Sequence, residues 1–429
     1  MHASRIAATS TSQITGSKVV QVALCAFMAS IPFDLPQRSI PVDIPSITSA
    51  LLLLAVFCFC SVERWTIPWA FELLMVYMGV AAISTVLSCT HPGEAVKLYL
   101  QILDPLLMFF VVYHLALDRR RFTFALWVLV GACICRAAVQ VLGLATTSLG
   151  RGHTEDRLSA FGQNPNTAST NLAVGLLILL ALTGRSRNAV RIWAMPALLI
   201  LIITAILQMS SRGAIIALIA GLLTLFGVNR TGRPPLLVRV TSILAVILAL
   251  VFMFFYSQAT RARFEDAFES GRMAGREELY PDLLHMGEEK PLLGWGLVEN
   301  HYELGRLENR AEYPSRDSHN LFLEVWTSTG FLGLVPFVWA LCICTRAAWR
   351  ALYGPDGSLP LALLVCVIVS NLSGDWLEFK TTWVVLGYAL ASGEFVSAED
   401  SRFALLRHRC AGRRRASRTS GILAGDSGQ

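Results

Sequence analysis

From residue 18 to residue 397 the chain is a succession of apolar runs parted by short polar breaks. Most of these runs approach or exceed the ~17–20 residues that a helix needs to cross a bilayer. Hydrophobic residues make up 54% of the chain and charged residues 15%, whereas a soluble domain carries about a quarter charged residues. That balance excludes a string of soluble domains. The fold class it predicts is all-α, a polytopic membrane protein of about twelve transmembrane helices. The expected spans are 18–34, 44–61, 66–88, 96–117, 122–145, 167–183, 191–209, 212–228, 237–257, 318–344, 359–375 and 379–397.

Arginines alternate along this series. Arg119-Arg120-Arg121 follows the fourth span, Arg185, Arg187 and Arg191 the sixth, Arg230, Arg233 and Arg239 the eighth, and Arg346 and Arg350 the tenth; Arg407 to Arg418 fill the tail. In a twelve-span arrangement all of these share one side. The positive-inside rule makes that side cytoplasmic, with both termini inside. The net charge of +6 therefore reflects topology rather than nucleic-acid binding. The domain reading is 1–257 as nine spans, 258–317 as a long outer loop containing helices, 318–397 as three more spans, and 398–429 as a basic tail. Pro32, Pro36 and Pro41 follow the first run in place of a small-residue cleavage site, so no cleavable signal is expected. Eight of the ten cysteines lie in apolar segments. The Cys-x-Cys pairs point apart on a helix, so they read as packing residues rather than metal ligands.

Polar chemistry gathers on the outer side. Ser210-Ser211-Arg212-Gly213-Ala214 forms a tight break between two apolar runs. The helix start there favours an anion, and a guanidinium fork suits phosphate; an arginine snorkelling to lipid headgroups fits Arg212 equally. Arg316-Asp317-Ser318-His319-Asn320 opens the long tenth span. The imidazole of His319 can take a proton from a sugar hydroxyl near neutral pH, or simply sit at the interface. Asn320 can orient that ring or cap the helix. In the long loop Arg276 stands in Gly275-Arg276-Glu277-Glu278-Leu279-Tyr280, within a stretch patterned as an amphipathic helix. Trp295, between two glycines, offers a sugar-stacking ring or an interfacial anchor. An earlier outer loop, Arg157 to Asn166, can contact substrate through Arg157 and its amides, or be a turn-rich connection. Inside the spans, Asp104 and Arg136 are expected to form a structural pair. The long loop has no clear metal-ligand cluster.

Taken together these segments resemble the O-antigen ligase and polymerase family of bacterial membrane glycosyltransferases. The resemblance rests on Phe161-Gly162-Gln163-Asn164-Pro165-Asn166, Ser211-Arg212-Gly213-Ala214, Gly275-Arg276, Pro291-Leu292-Leu293-Gly294-Trp295-Gly296, His319-Asn320-Leu321-Phe322-Leu323-Glu324 and Gly330-Phe331-Leu332-Gly333, in that order. Tyr280 replaces a tryptophan often found after the loop arginine. The resemblance implies a helical fold related to the GT-C glycosyltransferases and a polyprenyl-diphosphate-linked glycan donor at the periplasmic face of the inner membrane. The acceptor would be a second glycan or a lipid core, other polysaccharide-assembly proteins are conceivable partners, and no cofactor or metal is implied. Arg212 and Arg276 would hold the diphosphate and His319 would activate the acceptor hydroxyl, with Ser211, Trp295, Asn320, Arg157 and Asn166 as further substrate contacts.

Two other functions fit parts of this pattern. A multi-span transporter, either a lipid-linked-glycan flippase or a small-anion carrier, would share the span count. It should show internal repeats or paired broken helices, and the sequence shows neither clearly. A non-catalytic member of an envelope assembly complex would not need Arg212, Arg276 and His319.

Overall fold

A computed structural model describes residues 17–33, 43–61, 65–144, 146–148, 158–183, 189–228, 251, 276–308, 315–374 and 377–396. In chain order the helices are α1 (Lys18–Ser30), α2 (Ile44–Phe59), α3 (Trp69–Ser88), α4 (Pro92–Ala116), α5 (Arg119–Val141), α6 (Pro165–Thr183), α7 (Ala189–Gln208) and α8 (Arg212–Gly227). Then follow α9 (Arg276–Glu289), α10 (Glu299–Leu307), α11 (Leu321–Arg350), α12 (Leu359–Asn371) and α13 at residues 380–396. Short polar side chains set several starts. Ser17, Asp43, Asp118, Ser211 and Asn320 each accept a hydrogen bond from a first-turn amide that has no partner within the helix.

The coarse class is a helical polytopic membrane protein. Among the described residues α3, α4, α5, α6 and the Leu321–Tyr353 segment are long and apolar enough to cross a membrane, while Lys18–Phe33, Ile44–Phe59, Met195–Gln208, Arg212–Gly227 and Leu359–Asn371 are apolar but shorter. The span expected at 237–257 lies outside the described residues except for Val251. Phe57, Val86, Leu223 and Trp339 stand more than half exposed, whereas Phe27, Leu52, Tyr77 and Trp383 are buried. Large apolar groups facing outward around a packed interior suit lipid as the surrounding medium.

One departure from the all-α expectation is a small ribbon. Thr146–Ser148 (β1) and Leu158–Ala160 (β2) pair antiparallel, with Thr147 opposite Ser159. The amide of Ala160 also donates to Gln140 Oε1 at 2.7 Å. The loop is thus tied to α5, because backbone groups at a packed boundary must find partners.

At the centre, α6 is buried along nearly its whole length against α5, α7, α8 and α12. Gly221 lets α8 come close, since a Cβ there would lie 2.6 Å from Leu177 of α6 and 3.3 Å from the Ala362 carbonyl of α12. Small residues at helix contacts serve the same purpose in membrane bundles generally.

Two of the sequence motifs interlock. Gly330 adopts φ +61° and kinks α11. Residues 291–296 lie across this kink. Trp295 N donates to Thr327 O at 2.8 Å, Gly296 N to Ser328 O at 2.9 Å, and Phe331 N to Pro291 O at 2.7 Å. A Cβ on Gly330 would collide with the backbone of Leu292. The carbonyls freed by the kink are therefore satisfied by the crossing loop.

Contacts also show which loops share an end of the bundle. Arg119 Nε meets Asp356 Oδ1 at 2.7 Å, joining the α4–α5 turn to the α11–α12 turn. At the other end the α6, α8, α9 and α11 starts meet the segment after α12, as described next. Loops placed on a common side by the arginine alternation are thus found together.

Candidate active site

The break at Ser210–Gly213 is built on a strained turn. Ser210 has φ +51°. Ser211 caps α8 and donates its own proton to Asn166 Oδ1 at 2.9 Å, which ties α8 to the first turn of α6. Arg212 is the first residue of α8 and half-buried. Gly213 beside it packs directly against Ser373, where a Cβ would overlap the hydroxyl. Arg276, at the start of α9, donates from Nη2 to the Ser373 carbonyl at 2.9 Å, and Tyr280 Oη donates to Leu372 O at 3.3 Å. Ser373 is thus the point where the α8 start and the loop arginine meet. The Nε of Arg276 is buried with no hydrogen-bond partner.

Next to this junction is a cavity of about 200 Å³. Its polar lining includes Asn164, Asn166, Ser373, Asp317, His319, His301 and Glu324, with Leu98, Ile102, Leu297 and Phe379 as apolar wall. His319 has φ +52°, a conformation costly for a residue with a Cβ. Its neighbours hold it there. Asn320 caps α11 through Phe322 N at 3.0 Å and Leu323 N at 3.2 Å, and its own amide donates to Ser318 Oγ. Burial lowers the His319 pKa from its ordinary value. Arg316 and Arg276 push it the same way, against Asp317 and Glu324. The ring is therefore neutral near pH 7 and able to accept a proton. The non-glycine residues with left-handed backbone among those described are Phe161, Ser210 and His319, one in each of three motifs singled out from sequence.

Not every candidate reaches the cavity. Trp295 is a correction: its indole donates to Met286 O at 3.0 Å and Lys290 Nζ covers the ring at 3.5 Å. It packs on the small core of Leu279, Leu283, Met286 and Leu304 and does not line the cavity. Asn320 spends its side chain on the cap. Arg157 lies outside the described residues. Asp104 and Arg136 do not pair with each other: Asp104 meets Lys380 at 3.3 Å, and Arg136 donates to Gln163 Oε1 at 2.8 Å. They stand on α4 and α5 beside different neighbours; Lys380 and Ser49 take Asp104, whereas Arg136 bonds through Nε alone and its Nη1 and Nη2 are buried without a partner.

Sequence reasoning missed Glu324, His301 and Ser373. The signal for Glu324 was present, because it is a carboxylate inside an apolar span, the same criterion that singles out Asp104 and Arg136. His301 and Ser373 carry no local signal; only the folding of α10 and of the turn after α12 brings them to the cavity.

Fold and site together define a helical membrane protein with a histidine-lined cavity at one end of its bundle, beside the junction where Arg276 meets Ser373. Residues 197–338 match the family model described as O-antigen ligase, a stretch that contains Arg212, Arg276, His319 and Glu324. The match bears out the resemblance drawn from the motifs and supports glycan ligation or polymerisation at the membrane. Among solved structures, a chain from "Structural coordination of polymerization and crosslinking by a peptidoglycan synthase complex" is similar over 75% of this chain and 97% of that one, at 17% identity and a TM-score of 0.41. That similarity is too low to carry an argument. No curated protein matches the chain.

Proposed function

We propose that this protein transfers a polyprenyl-diphosphate-linked glycan to an acceptor hydroxyl at the periplasmic face of the bacterial inner membrane, as a ligase or polymerase of surface polysaccharide. The observation that supports this best is the convergence of three separated segments, Ser211–Arg212, Arg276 and His319, around one cavity. In this reading the acceptor oxygen attacks the anomeric carbon, the bond from that carbon to the phosphate oxygen breaks, and the polyprenyl diphosphate leaves. Arg212, Arg276 and the α8 N-terminus offset the charge that grows on the leaving group. His319 collects the acceptor proton. Asn166, fixed by Ser211, stands where it can orient the donor. The apolar flank of α4 at Leu98 and Ile102 leaves the lipid tail a route along the bundle.

Purified protein in detergent, given a polyprenyl-diphosphate-linked glycan and an acceptor, should lengthen or transfer the glycan. Absence of any transferred product, together with unchanged surface polysaccharide in a deletion strain, would sink the proposal. In that strain, lipid-linked polymer that accumulates without reaching a lipid core identifies a ligase; single repeats on the core identify a polymerase. The periplasmic assignment has its own check. A Glu288→Cys variant on a cysteine-free background should react with a membrane-impermeant reagent in intact cells whose outer membrane has been opened; protection there reverses the orientation.

A further inference from the structure

Glu324 is a buried carboxylate in the first turn of α11, and it is the hub of the cavity wall. Its Oε1 lies 3.0 Å from Nε2 of His301. Its Oε2 accepts from Nδ2 of Asn300 at 3.0 Å, and Asn300 is itself fully buried. The carbonyl of His301 accepts from Arg316 N at 3.0 Å. The carboxylate thus joins α10 to α11, and through His301 it reaches the strap at 315–320. Both histidines of the cavity depend on it: His301 by direct contact, His319 through the strap that His301 holds.

We propose that Glu324 is the positioning carboxylate of this site, fixing His301 through Nε2 and, through the His301 carbonyl that holds Arg316, the strap that carries His319, so that the two imidazoles face the acceptor hydroxyl in a set geometry. The proposal rests on the transfer reading above and adds a residue and a role to it. A neutral amide at 324 has one acceptor oxygen, so it could accept from Asn300 only by meeting His301 with an N–H, which forces the other imidazole tautomer. A carboxylate accepts from both His301 and Asn300 and also places a negative charge near His319. An enclosed carboxylate is costly unless it is paired and hydrogen-bonded, and here the donors of His301 and Asn300 converge on it. With Nε2–H given to Glu324, the His301 ring is fixed in one orientation and one tautomer. That arrangement is an imidazole oriented by a third group, a general requirement for controlled proton transfer.

The charges around His319 set the sign of the test. Asp317 and Glu324 are the anions that raise its basicity, and Arg316 and Arg276 the cations that lower it. Glu378 lines the same cavity from the segment before α13, while Leu98 and Ile102 of α4 add no charge. Tyr77 of α3 feels the Glu324 charge from the bundle side. Removing that charge makes His319 harder to protonate, so its neutral form should persist to lower pH.

The experiment needs no substrate. Full-length protein in detergent is treated with diethyl pyrocarbonate, which modifies neutral imidazole, across roughly pH 5 to 8, and each histidine is followed by peptide mass spectrometry. In Glu324→Gln the His319 midpoint should move to lower pH, and His301 should react faster because its Nε2 is released. If both histidines behave as in the wild type, the proposal is overturned. Glu324→Asp keeps the charge and shortens the reach, and it carries the test if the Gln variant does not fold. It should free His301 and leave the His319 midpoint in place; an unchanged His301 rate overturns the proposal.

A transfer assay with a polyprenyl-diphosphate-linked glycan separates this inference from the proposed function. If wild type transfers nothing, the function falls whatever the labelling shows. If wild type transfers, Glu324→Gln should lose about 10²-fold in kcat, the scale of a misplaced catalytic group. Its donor KM should stay close to wild type, and its acidic limb should shift to lower pH. Wild-type kcat with an unmoved limb in that variant defeats the positioning role alone.

Discussion

Two polar clusters stand at the same end of this bundle, and they are built on opposite terms. In the first, Lys380 lies 3.3 Å from Asp104 and 3.6 Å from Asp43, and donates to Ser46 Oγ at 2.9 Å. Ser49 Oγ donates to Asp104 Oδ1 at 2.8 Å. One lysine is shared by two carboxylates, and the serines bond what remains. In the second, Arg276 keeps a buried Nε with no partner, His319 sits in a strained left-handed backbone, and a cavity separates the groups. A closed ion cluster holds α2, α4 and α13 together. An open cluster with an unused donor and strained backbone beside a cavity is what the proposed function calls for. Charge at a membrane boundary is thus not by itself a mark of a site.

This contrast can be broken by substitution. The largest effect is expected at His319. His319→Gln keeps a hydrogen-bonding group but cannot take a proton near neutral pH, and should lower transfer by about 10²–10⁴-fold with donor binding kept. Full turnover would leave His319 as an orienting group only. Arg276→Ala should cost about 10²–10³-fold, the range for removing one donor to a developing anion. Arg276→Lys should recover part of that, since the charge returns without the fork; Arg212→Ala should behave like Arg276→Ala. Wild-type activity in a correctly inserted Arg276→Ala protein would erase the distinction between the clusters.

Lys380→Met tests the closed side. It should reduce stability by about 1.5–3 kcal/mol, the range for charge-assisted hydrogen bonds, visible as a lower melting temperature in detergent. Turnover per folded molecule should change little. A large loss of kcat with unchanged melting would place Lys380 in the catalytic machinery instead. The smallest effect concerns pH. Because burial and two arginines lower the His319 pKa, the acidic limb of transfer should fall below the ordinary imidazole value of about 6.5. The neutral, proton-accepting form persists until pH drops through that lowered value. A limb at or above the ordinary value would contradict the buried setting of the ring.

Much of the architecture was legible without coordinates because bilayer physics writes it locally. An apolar run of sufficient length must become a helix, and Asn320, expected as a possible helix cap, does begin one. The arginine alternation anticipated which loops share an end, as the Arg119–Asp356 contact shows. Arg212, Arg276 and His319 stood out because a charged or titratable residue beside an apolar run needs a reason. Trp295 was left open between two roles for a related cause. A tryptophan between glycines looks the same in sequence whether its ring faces a sugar or a lysine, and the choice depends on the crossing at the Gly330 kink.

What the sequence alone determined is therefore a property of short stretches: hydrophobic length, capping, sidedness, and a list of polar residues that lipid would not tolerate idly. The tertiary structure decided which of those residues meet. His301 reaches Glu324 from a helix 23 positions away in sequence, and Ser373 joins Arg276 across 97 positions. No local pattern encodes such meetings, because the same side chain can be satisfied by many partners. Helix packing chooses among them through small contacts such as Gly213 on Ser373, and in doing so leaves Asp104 paired and Arg276 with a donor to spare.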